Sequence, residues 1–366
     1  MSHAGTVFAG VMSGTSLDGA DAVVVDFRDA TLRVLGSASR PFHPDLRQLL
    51  QRLCAPGSDG FDEAGAAGVA LAQIYAEAVK AACGSAGISA GDVSAIGCHG
   101  QTVRHRPERS FTIQWQDPAR LAELTGIDVI ADFRRRDVAA GGQGAPLVPA
   151  FHDEAFRSPD VARAIVNIGG IANITVLVPG EAVTGFDCGP GNALLDGWFY
   201  RHRNGTFDRD GAWAGGGLVR SHLLDRLLAD AFFGDEPPKS TGRERFHLDW
   251  LHGHLDGSEP PQDVQSTLSE LTARGIADAI DRWAPHTREV ALCGGGARNA
   301  DLRGRIARLL AGREVRLTDE LGVSTGDVEA VAFAWLAMKF VRGEPIDLRA
   351  VTGSRHPVRL GALYPA

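Results

Sequence analysis

One pattern constrains this chain more than any other: it opens twice in the same way. Residues 6–11 are apolar and β-prone, Met12 to Gly19 are small or polar, and residues 20–27 are apolar again. That reads as strand, glycine-rich turn, strand, with Asp18-Gly19 as a favourable hairpin pair. The pattern returns at residue 164. Residues 164–168 form a strand, Gly169-Gly170-Ile171-Ala172-Asn173 a tight turn, and residues 174–178 the returning strand. A chain built on two such hairpins divides naturally into two similar halves.

The segments between them alternate in type. A strand is expected around 32–38, and residues 64–83 carry Leu71, Ile74, Tyr75 and Val79 at helical spacing. A buried strand over 93–98 ends at His99-Gly100-Gln101-Thr102, and another covers 111–114. Asp117-Pro118 is a helix start, as cap and first helical residue, and that helix ends near Gly126. The strand 127–131 leads into Asp132-Phe133-Arg134. In the second half, the strand 183–186 delivers Asp187 ahead of Cys188-Gly189-Pro190-Gly191-Asn192 and a helix from Ala193. The strand 290–293 runs into Gly294-Gly295-Gly296 with a helix beyond, and residues 328–341 form an apolar helix with Glu329 in its first turn. Alternating strands and helices predict an α/β fold with parallel strands. Gly141-Gly142-Gln143-Gly144 marks a loop near the boundary. The halves are placed at 1–131, joined by the tail 350–366, and at 132–349. Segment 234–262, rich in Pro, Gly and His, is expected on the surface.

Composition removes several classes of function. A length of 366 residues fits two domains. The net charge is −8 and no basic stripe is present, so nucleic acid is not an expected partner. No apolar run approaches the length of a membrane span, and the N-terminal residues lack a secretory signal. Five cysteines without a C-x-x-C pair fit a reducing cytoplasm. Glycine is abundant, 45 residues, and clustered in the turns, as a backbone approached closely by a ligand requires.

Two glycine-, serine- and threonine-rich hairpin turns suit a polyphosphate, because backbone N–H groups and hydroxyls can converge on its oxygens. The P-loop pattern is absent, and Gly189-Pro190-Gly191 fails as a dinucleotide fingerprint because Leu194 occupies its last glycine position. No G-x-S-x-G elbow is present. In open α/β sheets ligands sit beyond the carboxyl ends of strands, so Asp187, Asp132 and Asp18 are the acids to examine. Asp187 reads either as a general base or as a turn acid, and Asp18 as a turn residue or a ligand to Mg²⁺ through water. His99 at a strand end reads first as structural. His252-Gly253-His254 has no third ligand, and Cys98 and Cys188 read as small buried fillers.

Gly10-Val11-Met12-Ser13-Gly14-Thr15-Ser16-Leu17-Asp18-Gly19-Ala20-Asp21 resembles the opening signature of the anhydro-N-acetylmuramic acid kinase family. Cys98-His99-Gly100-Gln101-Thr102, Ala131-Asp132-Phe133-Arg134, Asn167 to Asn173, Gly185 to Asn192, Pro238 to Glu244, Cys293 to Asn299 and Val328 to Ala337 extend the resemblance in the family's order. It implies a two-lobed actin-like ATPase (ribonuclease H-like) fold with a central cleft, shared with hexokinase and the heat-shock chaperone ATPases. It also implies an ATP- and Mg²⁺-dependent reaction of cell-wall recycling. Water opens the 1,6-anhydro ring of 1,6-anhydro-N-acetylmuramic acid while O6 takes the γ-phosphoryl group, giving N-acetylmuramic acid 6-phosphate and ADP. By resemblance Asp187 activates the water. Ser13, Gly14, Thr15, Ser16, Leu17, Asp18, Gly19, Ala20 and Asp21 bind ATP with Gly169, Gly170 and Asn173, and Gly294, Gly295 and Asn299 flank the adenosine. Gln101, Thr102, Asp132, Arg134 and Glu329 resemble the sugar pocket, and a cytoplasmic homodimer is implied. Position 188 is Cys, where the resemblance implies Thr in several family members. The alternatives are another sugar kinase of the superfamily, a nucleotide-binding regulator without turnover, and a filament protein by fold analogy alone.

Overall fold

A computed structural model describes residues 5–14, 16–28, 32–54, 60–242 and 245–366. Thr15 of the first turn, and Arg243 and Glu244, lie outside the described residues. The strands are β1 (Val7–Met12), β2 (Gly19–Asp26), β3 (Arg33–Pro41), β4 (Ile96–Cys98), β5 (Gln101–Arg106), β6 (Phe111–Trp115), β7 (Val129–Ala131), β8 (Arg163–Ile168), β9 (Ile171–Leu177), β10 (Thr184–Pro190), β11 (Glu289–Cys293), β12 (Glu314–Leu317) and β13 (Ala362–Tyr364). The chain divides into two compact units. The first runs to Phe151 and resumes over Asp327–Ala366; the second is His152–Gly326.

The hairpin reading holds for both units. In unit 1, β1 pairs antiparallel with β2 from Val7↔Asp26 to Met12↔Asp21, β2 pairs antiparallel with β3, and β1 runs parallel to β4, which is parallel to β7. In unit 2, β8 pairs antiparallel with β9, β9 with β10, and β8 runs parallel to β11, which is parallel to β12. The sheet orders β3-β2-β1-β4-β7 and β10-β9-β8-β11-β12 are therefore one topology used twice, and β13 adds an antiparallel edge to the first.

The layers repeat as well. In unit 1, Val7, Ala9 and Val11 point to a core shared with Leu71, Tyr75 and Val79 of the helix Phe61–Ala86 and Leu121 of the helix Pro118–Thr125. In unit 2, Ala164, Val166 and Ile168 meet Ala273, Ile276 and Ile280 of the helix Pro261–Trp283 and Leu302 and Ile306 of the helix Ala300–Leu309. Alternation along each strand sends one set of residues inward, and each fully buried aliphatic side chain contributes about 1.5–3 kcal/mol. On the other face of the first sheet lies the helix Val328–Arg342. A Cβ on Gly10 would stand 1.9 Å from the Ala330 carbonyl oxygen, and one on Gly97 1.9 Å from that of Phe333. Only bare backbone lets this helix lie so close.

Several elements differ from expectation. Helices Phe133–Ala139 and Val328–Arg342 belong with the first sheet, so unit limits fall at 151 and 327 rather than at 131 and 350. The reason is packing: the Phe133 and Phe333 rings lie 5.7 Å apart, and the second helix covers β1. The first hairpin turns over residues 13–18, and Gly19 is already strand, its place set by the Arg40 carbonyl of β3, 2.4 Å from where a Cβ would stand. Segment 234–262 is not simply surface: Phe246 and Leu251 are buried with Leu194, Leu195, Trp198 and Leu227 in a separate apolar cluster inserted into unit 2. Among the described residues no helix is long and apolar enough to cross a membrane.

Candidate active site

In unit 1 most of the Ser13–Asp21 stretch serves the fold. The Ser13 hydroxyl is buried and bonds the Tyr75 hydroxyl at 2.6 Å. Leu17, at φ 58°, and Ala20 point into the core. Asp21 accepts a hydrogen bond from Ser39, and Asp18 is exposed and faces Arg47 at 3.4 Å. Gly14 is different. Its φ lies outside the left-handed region, and a Cβ there would meet nothing nearer than 3.6 Å. Among the described residues nothing requires glycine at this position.

Beyond that turn, Ser13 Oγ also donates to the Gly100 carbonyl at 3.4 Å, which brings the β4–β5 turn against the first hairpin. Gln101 is buried, and its Oε1 has no partner. Gln116 packs on Gly100, and neither of its amide atoms has a partner. Thr102 accepts from Gln114 Nε2 at 3.2 Å. Buried amides left unsatisfied by the protein point to a polar ligand. Arg134, in the helix Phe133–Ala139, donates from Nε to His99 Nε2 at 2.9 Å and from Nη1 to the Gly144 carbonyl at 3.0 Å. Burial, and then the Arg134 charge, hold the His99 imidazole well below its usual range, so it is neutral. Asp132, at φ 61°, accepts from the Tyr364 hydroxyl at 2.9 Å and faces Arg135 at 3.3 Å. Glu329 sits in the first turn of the helix Val328–Arg342.

In unit 2, Asp187 does not end its strand. β10 continues to Pro190 through a bulge at Cys188, so Asp187 lies mid-strand opposite Asn173. Asn167, Asn173 and Asp187 form a row on the sheet face away from the core. The segment Lys239 to Thr241 clamps the carboxylate: the Asp187 N–H donates to the Lys239 carbonyl at 3.1 Å, and the Thr241 N–H donates to Asp187 Oδ2 at 2.9 Å. Asn173 Oδ1 and Thr241 Oγ1 are buried without partners beside it. The Cys188 thiol points the other way, donating to the Ala172 carbonyl at 3.3 Å, and burial pushes its pKa up.

The β8–β9 turn commits its carbonyls. Gly169 O accepts from Asn192 N at 2.8 Å, and Gly170 O accepts from Gly191 N and Ala193 N at 3.0 and 3.1 Å. This docks the turn on the start of the helix Asn192–His202. Gly294 and Gly296 lie against Asn167 and Ile168, with a Cβ 2.4 and 2.3 Å from their atoms. Gly169 and Gly295 have no such constraint: neither takes a left-handed φ, and a Cβ would find 3.5 and 3.6 Å. Asn299 caps the helix Ala300–Leu309 through Oδ1 and Leu302 N at 3.0 Å. Among the described residues no group of three or more His, Cys, Asp or Glu could hold a metal ion. Sequence reasoning did not single out Gln116 or the Thr241 amide. Thr241 sat inside a matched motif, whereas Gln116 precedes a helix cap and carried no signal.

The sequence profile of the anhydro-N-acetylmuramic acid kinase family matches residues 6–366. The anhydro-N-acetylmuramic acid kinase of Cupriavidus metallidurans is 50% identical over 370 residues, covering 98% of this chain and 97% of that protein. That of Pseudomonas paraeruginosa is 51% identical over 361 residues, covering 98% and 99%. That of Bordetella petrii is 52% identical over 372 residues, covering 100% and 98%. Component A of the (R)-2-hydroxyglutaryl-CoA dehydratase of Acidaminococcus fermentans shares the fold, at a TM-score of 0.50 and 12% identity, over 91% of this chain and 99% of that one. The doubled sheet order is that of the actin-like ATPase fold expected from the sequence. With half its residues identical along nearly the whole length, this chain belongs to the anhydro-N-acetylmuramic acid kinase family.

Proposed function

We propose that this chain uses ATP and water to open 1,6-anhydro-N-acetylmuramic acid and phosphorylate it at O6. The observation that carries this reading is the clamped Asp187: a carboxylate fixed mid-strand by the Thr241 N–H, with unsatisfied Asn173 and Thr241 oxygens beside it. A water held there gives its proton to Asp187 as its oxygen bonds C1 of the sugar. The C1–O6 bond breaks, and O6 takes the γ-phosphoryl group as that group's bond to the β–γ bridging oxygen breaks and ADP leaves. Asp187 ends the step protonated and later returns the proton to solvent.

Phosphoryl transfer needs positioning and charge neutralisation more than covalent chemistry. Of the glycines in these turns, Gly14, Gly169 and Gly295 carry no packing demand and leave backbone bare for ATP. Mg²⁺, when bound, would neutralise phosphate charge, and the exposed Asp18 is the residue that would hold it through water. Gln101, Thr102, Asp132 and Glu329 are assigned to the sugar, and Arg134 to its lactyl carboxylate through a bidentate pair. The same reading makes the enzyme a cytoplasmic homodimer.

The test is ADP release with 1,6-anhydro-N-acetylmuramic acid, ATP and Mg²⁺, comparing wild type with Asp187→Asn. Turnover is expected in the wild type, with kcat lower by about 10²–10⁴ in the variant. Unchanged turnover in the variant removes Asp187 as the base, and an inactive wild type removes the proposed activity.

A further inference from the structure

His99 holds Arg134 by a contact that its position at the end of β4 does not by itself require. The Arg134 Nε–H must donate, so His99 Nε2 accepts at 2.9 Å, and the imidazole proton sits on Nδ1. The ring is buried, its centroid lies 4.7 Å from that of the Phe333 ring, and it neighbours the Ser13 and Gly100 backbone, while its Nδ1 has no hydrogen-bond partner among the described residues. The backbone beneath it is held separately: the His99 main-chain N–H donates to the Val11 carbonyl at 3.0 Å. The second acceptor, Gly144 O, comes from the loop after the Arg134 helix. That loop is held in turn: Gly144 N donates to Asp137 Oδ2 at 2.7 Å, and Asp137 Oδ1 accepts from the Thr352 hydroxyl at 2.9 Å. Two acceptors on separate segments therefore set both the place and the plane of the guanidinium. A planar bidentate donor loses most of its selectivity if its plane is free to swing.

We infer that His99 is a positioning residue for Arg134, and that the enzyme's preference for a sugar bearing a carboxylate depends on the His99–Arg134 hydrogen bond. This rests on the assignment of Arg134 to the substrate carboxylate.

The experiment compares kcat and KM for 1,6-anhydro-N-acetylmuramic acid and for 1,6-anhydro-N-acetylglucosamine, the same sugar without the lactyl group. In His99→Phe the ring packing on Phe333 survives and the acceptor is lost. KM for the acid is expected to rise about tenfold or more, as for loss of a hydrogen bond to a charged group, with kcat within about twofold and most of the preference gone. His99→Gln, which restores an acceptor, is expected to recover much of that preference. If the Phe variant does not fold, His99→Asn, too short to reach Arg134, takes its place with the same expectation. Arg134→Gln separates the two levels. If it abolishes the preference while His99→Phe or His99→Asn keeps it, the positioning role is overturned. If Arg134→Gln itself leaves the preference intact, the assignment of Arg134 fails.

Discussion

The two hairpins share strand order and pairing, yet they use their turns in opposite ways. The first turn, residues 13–18, spends its side chains: Ser13 on Tyr75, Leu17 on the core, Asp18 on Arg47. The second, Gly169-Gly170, has no side chains to spend and commits its carbonyls to the amides at the start of the helix Asn192–His202. One topology thus supports one turn anchored from within and another anchored by the neighbouring helix. What they share is a glycine that nothing among the described residues demands, Gly14 in one and Gly169 in the other.

The largest effect that tests this contrast is steric. Gly191 braces the second turn, and a Cβ there would stand 2.3 Å from the Gly169 carbonyl oxygen, which cannot yield without moving the turn. Gly191→Ala is expected to lose about 3 kcal/mol or more, whereas Gly14→Ala stays within about 1 kcal/mol, as read by denaturant unfolding. Equal losses would break the comparison.

Next in size is acid sensitivity in unit 2. His152 is fully buried and bonds Thr175 Oγ1 at 2.8 Å, and burial lowers its pKa to about 3. The unfolded chain takes up the proton first, near pH 6.5. The stability due to neutral His152 is therefore complete above that pH and is lost as pH falls toward about 3, at about 1.4 kcal/mol per pH unit. Unfolding free energies measured from pH 7 to 4.5 should show a shallower slope in His152→Phe; an identical slope counts against the assignment.

Ser13→Ala is a smaller change. It strands the buried Tyr75 hydroxyl and should cost about 1–2 kcal/mol in unit 1. Activity falling far more than stability would show that Ser13 also serves the ligand, and would make the two turns more alike. Smallest is Arg47→Ala: the pair with Asp18 is exposed, so stability should move by less than about 0.5 kcal/mol in a thermal melt.

The sequence revealed the features that local chemistry dictates. Both hairpins stand out because strand and turn residues alternate sharply. Asp117 caps its helix through Arg120 N, and Gly126 ends it at φ 66°, as their residue types foretell. What stayed hidden depends on distant partners. Asp187 looked like a strand terminus, since Gly-Pro-Gly breaks strands; pairing with β9 carries β10 through it. The β5–β6 ribbon was half seen, because Gln101–Arg106 is too polar to read as a strand and is made one by its partner. Asn299 was singled out for the adenosine and is seen capping a helix, and Ser13 for phosphate and is seen bonding Tyr75. Phosphate-binding and capping chemistry draw on the same small polar residues, so residue type alone does not separate them. His99 read as structural because its value lies in Arg134, which arrives from another element.

The helix Val328–Arg342, laid on the bare backbone of Gly10 and Gly97, has a consequence for how the chain is made. During synthesis, proteins emerge from the N-terminus and fold unit by unit. The strands of unit 1 leave the ribosome first, yet the helix that covers one face of their sheet, and the edge strand β13, come only after all of His152–Gly326. The first unit begun is therefore the last finished. Until Asp327–Ala366 emerges, Phe8, Val23 and Val25 lack their cover, and the nascent chain is most dependent on chaperones during that interval.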